Sequence, residues 1–491
     1  MSRIVMFSHR PIFQKGLTSG PGIRIFEIAK ALQRKGHKVS IAEPNRKKEK
    51  TKDKINFISW NEELLVNIEK KFDVAILQAW NDEINFLNKL KKIPKVVDLY
   101  SPTLIEHADF CVKKTKFESY YEKGKIDYFY DDVIMNLSRI IMEGDFFICA
   151  NKQQKAYYIG IFSILGKINP KSYDYNILEI VPFGISEKKL NKNLKGLKVK
   201  KKKDDFLILW PGGIFPWFDA ITLIKAMKIL EKKNSKIKLV FVGANNPLDS
   251  HFTKHGFEQA KKLAKKLKLF DVNIFFHDWI SYSKREIMYN ESEMAIILIN
   301  KGFEKDISHR TRIIDCLWGE IPIITTNDSE VSNIIQEKNL GLIVSEKNEK
   351  EVAEKIIELI NNKELKNQII KNINNYKKEI MWNKLMEPLD LFCKKPKLCK
   401  QSKFNVYNLL NEKQKSVEIC ERELITRNNE LIIKNQQIKE LFNIINNQKK
   451  TIEKQLINIC QFKSSVIYPF FRITSGFGKT KTGKIIQKLI K

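Results

Sequence analysis

The sequence predicts an α/β protein of two doubly wound parallel-sheet domains followed by a helical extension. Two successive alternations of short apolar strands with amphipathic helices predict the domains. A lysine-rich break near residue 200 separates them, and a seven-residue apolar repeat from about residue 404 marks the extension. At 491 residues the chain is long enough for two or three domains, and a hydrophobic content of 43% supports sizeable cores.

The first alternation opens with a strand at Ile4–Phe7. A helix follows over Arg24–Arg34, where Ile25, Ile28, Ala29 and Leu32 fall at helical spacing before Gly36 stops it. Val39–Ala42, Val74–Leu77, Val96–Leu99, Phe146–Cys149 and Ile177–Val181 are the further strands of this domain, residues 1–186. Pro182, Gly184 and the lysines ending at Lys203 make residues 187–204 a linker. The second domain, 205–390, has strands at Phe206–Leu209, Leu239–Val242, Val272–Phe276, Ala295–Leu298, Ile323–Thr325 and Leu342–Val344. Ligands of open parallel sheets bind beyond the carboxyl ends of the strands, so the cleft between two such domains is the expected site.

In residues 404–460 the positions Leu410, Val417, Leu424, Leu431, Ile438, Ile445, Ile452 and Ile459 recur every seven residues. The second seam position is poorer, with Cys420, Arg427 and Lys434 before Leu441. An imperfect coiled coil that oligomerises the chain is expected, with a lone amphipathic helix as the alternative. The tail, 461–491, interleaves Lys463, Arg472, Lys479, Lys481, Lys484, Lys488 and Lys491 with aromatic and aliphatic residues and has no acid. It is expected to favour an anionic membrane surface.

The net charge of +31 points to anionic partners, although Lys is abundant along the whole chain. Zinc-finger, ribonucleoprotein and helix-turn-helix signatures are absent, so nucleic acid is not the expected partner. None of the seven cysteines forms a Cys-x-x-Cys pair, which argues against a zinc site or a disulfide framework. No apolar run reaches eighteen residues, and the Arg3–Ser8 stretch is too short for a signal peptide. A cytoplasmic protein is expected, peripheral on the inner face of the membrane if the tail binds lipid.

Three segments carry the chemistry. The turn after the first strand reads L-T-S-G-P-G-I-R from Leu17 to Arg24, where Gly20 and Gly22 let the backbone approach a ligand at a helix N-terminus. By itself this also reads as an ordinary tight turn. The loop after the first strand of the second domain reads W-P-G-G-I-F-P-W-F-D from Trp210 to Asp219, and Gly212 and Gly213 leave room for a ligand against backbone amides. Trp217 is expected in the core.

The third segment, Asp306–Pro322, reads D-I-S-H-R-T-R-I-I-D-C-L-W-G-E-I-P. Ile313, Ile314, Leu317 and Trp318 form an apolar helical face, and Ser308 is the expected N-cap. His309, Arg310 and Arg312 then stand where the helix dipole is unfavourable to positive charge. A seated anion resolves that conflict, as does a salt bridge to Glu304 or Asp306; the anion is the preferred reading, and a nucleotide diphosphate suits it.

These segments, with V-P-F-G-I-S at Val181–Ser186, resemble the group-1 glycosyltransferases of glycosyltransferase family four, in particular a polysaccharide-cluster subset. The resemblance spans about residues 1 to 385 and implies the GT-B fold, a nucleotide-sugar donor as substrate, no cofactor, and a glycan or lipid-linked acceptor in surface polysaccharide synthesis. It implies that Asp315 takes the place of the second glutamate of the family's E-x7-E pattern and holds the donor ribose. Arg310 and Thr311 fall where family backbone amides meet the diphosphate, and Trp279 where the base is recognised. Gly20 and Gly22 match the loop closing over phosphate and acceptor, with Arg24 beside them.

The chain departs from the family at three points. The first glutamate of the pattern would fall at Ile307, with Glu304 and Asp306 nearby. The usual Arg and Lys after the first strand of the second domain are replaced around Gly213 and Phe218–Asp219, which leaves Arg310 and Arg312 as candidates for the diphosphate clamp. The first-domain histidine is replaced in V-V-D-L-Y-S-P by Tyr100, next to which Asp98, Glu106 and His107 are candidates for orienting the acceptor or a proton. Glycosyl transfer with retention, without a metal, is the expected reaction. A degenerate nucleotide-binding scaffold and a nucleotide-sugar epimerase of similar fold are the alternatives.

Overall fold

The computed structural model describes residues 1–13, 17–44, 49–50, 55–79, 87, 89–115, 123–174, 176–248, 250–327, 329–399 and 449–455. The chain forms two compact units. Met1–Ser119, Asp145–Lys155 and Ile177–Leu398 make the first, which holds both sheets. Tyr120–Gly144, Ala156–Asn176 and Cys399–Lys491 make the second. Within the second unit Lys167 Nζ donates to the carbonyls of Met142 (2.9 Å) and Gly144 (2.5 Å), closing the end of one helix onto the next turn.

The first sheet contains β1 (Arg3–Phe7), β2 (Lys38–Pro44), β3 (Glu49–Lys50), β4 (Asn56–Trp60), β5 (Val74–Gln78), β6 (Lys95–Asp98), β7 (Phe146–Cys149) and β8 (Leu178–Ile180). Its order is β3-β4-β2-β1-β5-β6-β7-β8, parallel except for the β3–β4 pair. The connecting helices are α1 (Gly20–Arg34), α2 (Glu62–Val66), α3 (Ile68–Lys71), α4 (Thr103–Thr115), α5 (Lys123–Glu143) and α6 (Lys152–Ile164). β5, β6 and β7 are buried at every position, as strands covered on both faces must be.

The second sheet contains β9 (Phe206–Pro211), β10 (Ile237–Val242), β11 (Ile274–His277), β12 (Met294–Ile297), β13 (Ile323–Thr326) and β14 (Gly341–Val344). Its order is β11-β10-β9-β12-β13-β14, all parallel, so the order reverses beside β9, between β10 and β12. That reversal opens a crevice at the carboxyl ends of β9 and β12. Its helices are α7 (Ala220–Lys233), α8 (Ser250–Lys266), α9 (Glu286–Asn290), α10 (Phe303–Ile307), α11 (Thr311–Trp318), α12 (Glu330–Glu337), α13 (Glu349–Asn361) and α14 (Lys363–Tyr376). α15 (Trp382–Leu385) and α16 (Glu387–Lys394) follow.

Every expected strand is present. Three local expectations are corrected. α1 starts at Gly20 rather than Arg24, because Pro21 suits a first helical turn and Ser19 Oγ accepts from Gly22 N at 3.3 Å. β4 is additional; it pairs in parallel with β2 from Asn56 to Trp60. β11 starts at Ile274, and Val272 is exposed in the turn that Asp271 makes at φ 57°. α16 packs on the first sheet: Phe392 stacks on Phe146 at 4.4 Å, and His37 Nε2 lies 2.9 Å from Asp390 Oδ1. Ser2 Oγ donates to Cys393 O at 2.5 Å, so α16 covers the first sheet.

The lysine-rich linker forms no helix or strand but is fastened to the second domain. Glu291 Oε1 accepts from the amides of Gly196 (2.6 Å) and Leu197 (2.8 Å), and Glu286 Oε1 from Asn191 N (3.1 Å). Residues 449–455 are helical; the rest of the expected coiled coil and the whole basic tail lie outside the described residues. Among the described residues no helix is long and apolar enough to cross a membrane.

Candidate active site

A cavity of about 490 Å³ is lined from both sheets, always by segments that follow strand carboxyl ends. This is within the size range of small-molecule sites. The first domain supplies His9, Arg10, Thr18 and Gly20 after β1, and Tyr100, Ser101, Glu106 and His107 after β6. The second supplies Gly212–Gly213, Phe215, Trp217 and Phe218 after β9, Asn246 after β10, Trp279 after β11, and Glu304 and Ser308–Arg312 with Asp315 after β12.

The start of α11 faces this space, and Arg310, not Ser308, is its N-cap, without a side-chain cap bond. Ser308 instead ends α10, with its Oγ buried and unpartnered. Around the helix end, Ser308 Oγ, His309 Nε2, Arg310 Nε and Arg312 Nη1 are buried with no hydrogen-bond partner. His309 is otherwise held by Phe183, whose ring stacks on it at 6.3 Å, with Glu330 Oε2 3.4 Å from Nδ1. Arg312 reaches back to the β9 loop: Nη2 donates to Gly213 O at 3.0 Å, and the guanidinium lies 3.8 Å over the Phe218 ring. Burial, with Arg310 adding its own positive charge, pulls Arg312 down to about 9. An anion at this helix end satisfies the unpartnered donors and reverses that shift.

The two glycines differ in what they do. Gly212 adopts φ 88° and faces the Arg312 guanidinium, whereas a Cβ on Gly213 would lie 2.7 Å from Thr253 Cγ2. Gly20 has open space where a side chain would project and lines the cavity; Gly22 is packed, with Thr18 Oγ1 2.8 Å from where its Cβ would be, and is not in the lining. Trp279 lines the cavity and packs on Gly243, which adopts φ 72° and where a Cβ would stand 2.6 Å from the indole. Trp217 stacks on Phe215 at 5.1 Å and lines the cavity while resting on the core, so it is not the purely interior residue expected.

Arg310 lines the cavity, but its terminal nitrogens are engaged within the protein. It is buried, and its two terminal nitrogens donate to the two carboxylate oxygens of Glu304 at 2.6 Å each. The salt bridge wins here because Glu304 is itself buried and costs several kcal/mol if left unpaired. Glu304 thereby stands at the cavity wall where E-x7-E spacing had pointed to Ile307; the short helix α10 takes up the difference.

Arg24 and Asp98 are also corrected. Neither lines the cavity. Arg24 is fully buried, donates Nε to Asp98 Oδ2 at 2.7 Å and Nη2 to Oδ1 at 2.9 Å, and reaches the carbonyls of Val181 (2.8 Å) and Pro182 (3.2 Å). Phe183, Tyr100 and Trp382 surround its guanidinium at 4.9, 5.4 and 5.9 Å. This pair fixes α1 and the end of β6 against the V-P-F-G segment.

Glu106 and His107, on the first turns of α4, do line the cavity. Ser101 Oγ donates to Glu106 Oε2. Burial and, next in size, the charge of Glu304 push the Glu106 carboxyl up to about 7. His107 Nδ1 lies 2.8 Å from Thr103 O, and burial pulls its imidazole down. Asp315 projects from α11 beside Arg285, whose Nε is 3.6 Å from Asp315 Oδ1. Sequence reasoning missed Glu304, Arg285 and the Phe215–Phe218 aromatics as part of this site. Only Glu304 carried a usable signal, as an acid near the expected position.

Two parallel sheets whose strand ends share one cavity define an enzyme of GT-B architecture. Residues 194–376 match the family model described as Glycosyl transferases group 1, and the chain is a glycosyltransferase. No curated protein matches. The fold is similar to a sucrose-phosphate synthase from Thermosynechococcus elongatus (13% identity, 80% of this chain and 98% of that one, TM-score 0.55). It is also similar to a glycosyltransferase from Rickettsia africae (16%, 80% and 99%, TM-score 0.54). A UDP-forming α,α-trehalose-phosphate synthase from Burkholderia xenovorans is comparable (10%, 80% and 99%, TM-score 0.55).

Proposed function

We propose that the chain transfers a sugar from a nucleotide-sugar donor to a glycan or lipid-linked acceptor in surface polysaccharide synthesis, with retention at the anomeric carbon and without a metal. The observation that carries this reading is Arg312: a cation at a helix N-terminus, facing the cavity, with a buried nitrogen that no protein group satisfies. As the bond between the anomeric carbon and the diphosphate oxygen breaks, negative charge grows on the departing diphosphate. Arg312, the first-turn amides of α11 and the backbone around Gly212–Gly213 are placed to stabilise it without rearrangement. Asp315 accepts from the ribose and Trp279 borders the base. The acceptor enters on the first-domain side, where Glu106 and His107 take up or steer its hydroxyl proton.

The missing Arg/Lys pair after β9 suggested a degenerate scaffold, but Arg312 delivers a cation to that same loop, which favours the enzyme. The test is release of nucleoside diphosphate from a panel of nucleotide sugars, with a lipid-linked glycan as acceptor. Turnover of none, with no thermal shift from any nucleotide, rejects the reading. The heptad segment is proposed to form a dimer and the basic tail to bind anionic membrane. Light scattering with and without residues 401–491 tests the first, and vesicle sedimentation with and without residues 461–491 the second.

A further inference from the structure

We propose that Arg285 is a positioning residue that holds Asp315 ready for the donor's ribose hydroxyls and so sets a preference for ribonucleotides over 2′-deoxyribonucleotides. The inference rests on the donor reading above. Asp315 borders both the main cavity and a small adjoining hollow of about 30 Å³, and Arg285 lies in the wall of that hollow. The Arg285 guanidinium is clamped between two rings, 3.8 Å from the centre of Tyr282 and 4.0 Å from that of Trp318. Its Nη1 donates to Tyr282 O at 3.0 Å, while its Nε has no hydrogen-bond partner. The cation therefore has little freedom to move.

At 3.6 Å from Asp315 Oδ1, Nε is close enough to stabilise the carboxylate charge but too far to use an oxygen lone pair in a hydrogen bond. Both Asp315 oxygens thus stay available as acceptors. The need for a fixed cation is clear from the surroundings. Burial and the nearby Glu27 carboxylate both favour the neutral acid, and Arg285 is the group opposing them. A neutral carboxyl gives up one acceptor site to its own proton, whereas two neighbouring ribose hydroxyls donate best to an ionised one. Glu27 is kept at its distance by Tyr282, whose hydroxyl donates to Glu27 Oε1 at 3.2 Å.

The experiment is calorimetric titration of the full chain with UDP, ADP, GDP and CDP, then with the 2′-deoxy form of whichever binds. Wild type should prefer the ribonucleotide by about tenfold or more, the weight of a hydrogen bond to a charged group. Arg285→Met fills the slot between the rings without charge; the preference should fall to within about threefold through weaker ribonucleotide binding alone. Arg285→Lys should fall between the two, and carries the test by itself if the Met variant does not fold. Equal weakening of both nucleotides, or an unchanged ratio in the Lys variant, overturns the proposal and leaves the donor reading standing. Wild type that binds none of the four overturns both. Wild type that binds both sugars equally overturns the positioning role alone.

Discussion

Arg310 and Glu304 close on each other in a two-point ion pair, both contacts at 2.6 Å, whereas Arg312, two residues away and also in the cavity lining, meets no carboxylate at its terminal nitrogens. The two arginines therefore have separable consequences. Arg310→Ala should destabilise the fold by about 3–5 kcal/mol, because it strands a buried carboxylate. Urea denaturation measures this; a variant as stable as wild type contradicts the assignment.

The Arg24–Asp98 pair, which is not in the cavity lining, should behave in the same way. Asp98→Ala is expected to cost about 3–5 kcal/mol of stability. The double change Arg24→Met, Asp98→Ala should cost less than the sum of the single changes, since neither charge remains unpaired. A double-mutant cycle in denaturant decides it, and strict additivity would show that the pair is not coupled.

Glu106 makes stability depend on pH. Its folded-state value, about 7, lies above the ordinary 4.5, so the folded chain binds the proton more tightly than the unfolded chain does. The stability this contributes is present below about pH 4.5 and is lost as pH rises through about 7. Glu106→Gln should thus gain stability relative to wild type between these limits, with the gain complete above about pH 7. Thermal melts of both proteins across this range check the sign; a constant difference rules it out.

Truncation should distinguish the two C-terminal segments. Ending the chain after residue 400 retains α16, with its Phe392–Phe146 stack and its His37–Asp390 contact. Ending it before Trp382 removes both, and also the indole beside Arg24. The shorter chain should melt well below the longer one; equal melting temperatures would mean that α16 contributes nothing to the first sheet.

The strands were legible because parallel strands covered on both faces read as unbroken apolar runs, as F-L-I-L-W in β9 does. β4 was not, since N-F-I-S-W is short and mixed, and only its place beside β2 makes it a strand. The glycine loops and the α11 segment were legible as site elements because glycine and positive charge stood where local rules disfavour them. What each arginine does was not. Arg24 meets an aspartate 74 residues away and Arg310 a glutamate six residues back, and charge pattern alone does not separate a strut from a ligand-facing cation. Arg285 gave no sequence signal, because its role arises from two rings that come together only in the fold.

Titration of the full chain and of Arg312→Ala with nucleotide sugars asks whether this side chain holds the donor diphosphate. Wild type should bind at least one donor, and the variant, folded to the same melting temperature, should bind it about tenfold to a hundredfold more weakly, a loss of about 1.5–3 kcal/mol. Equal affinity in the two proteins would contradict it.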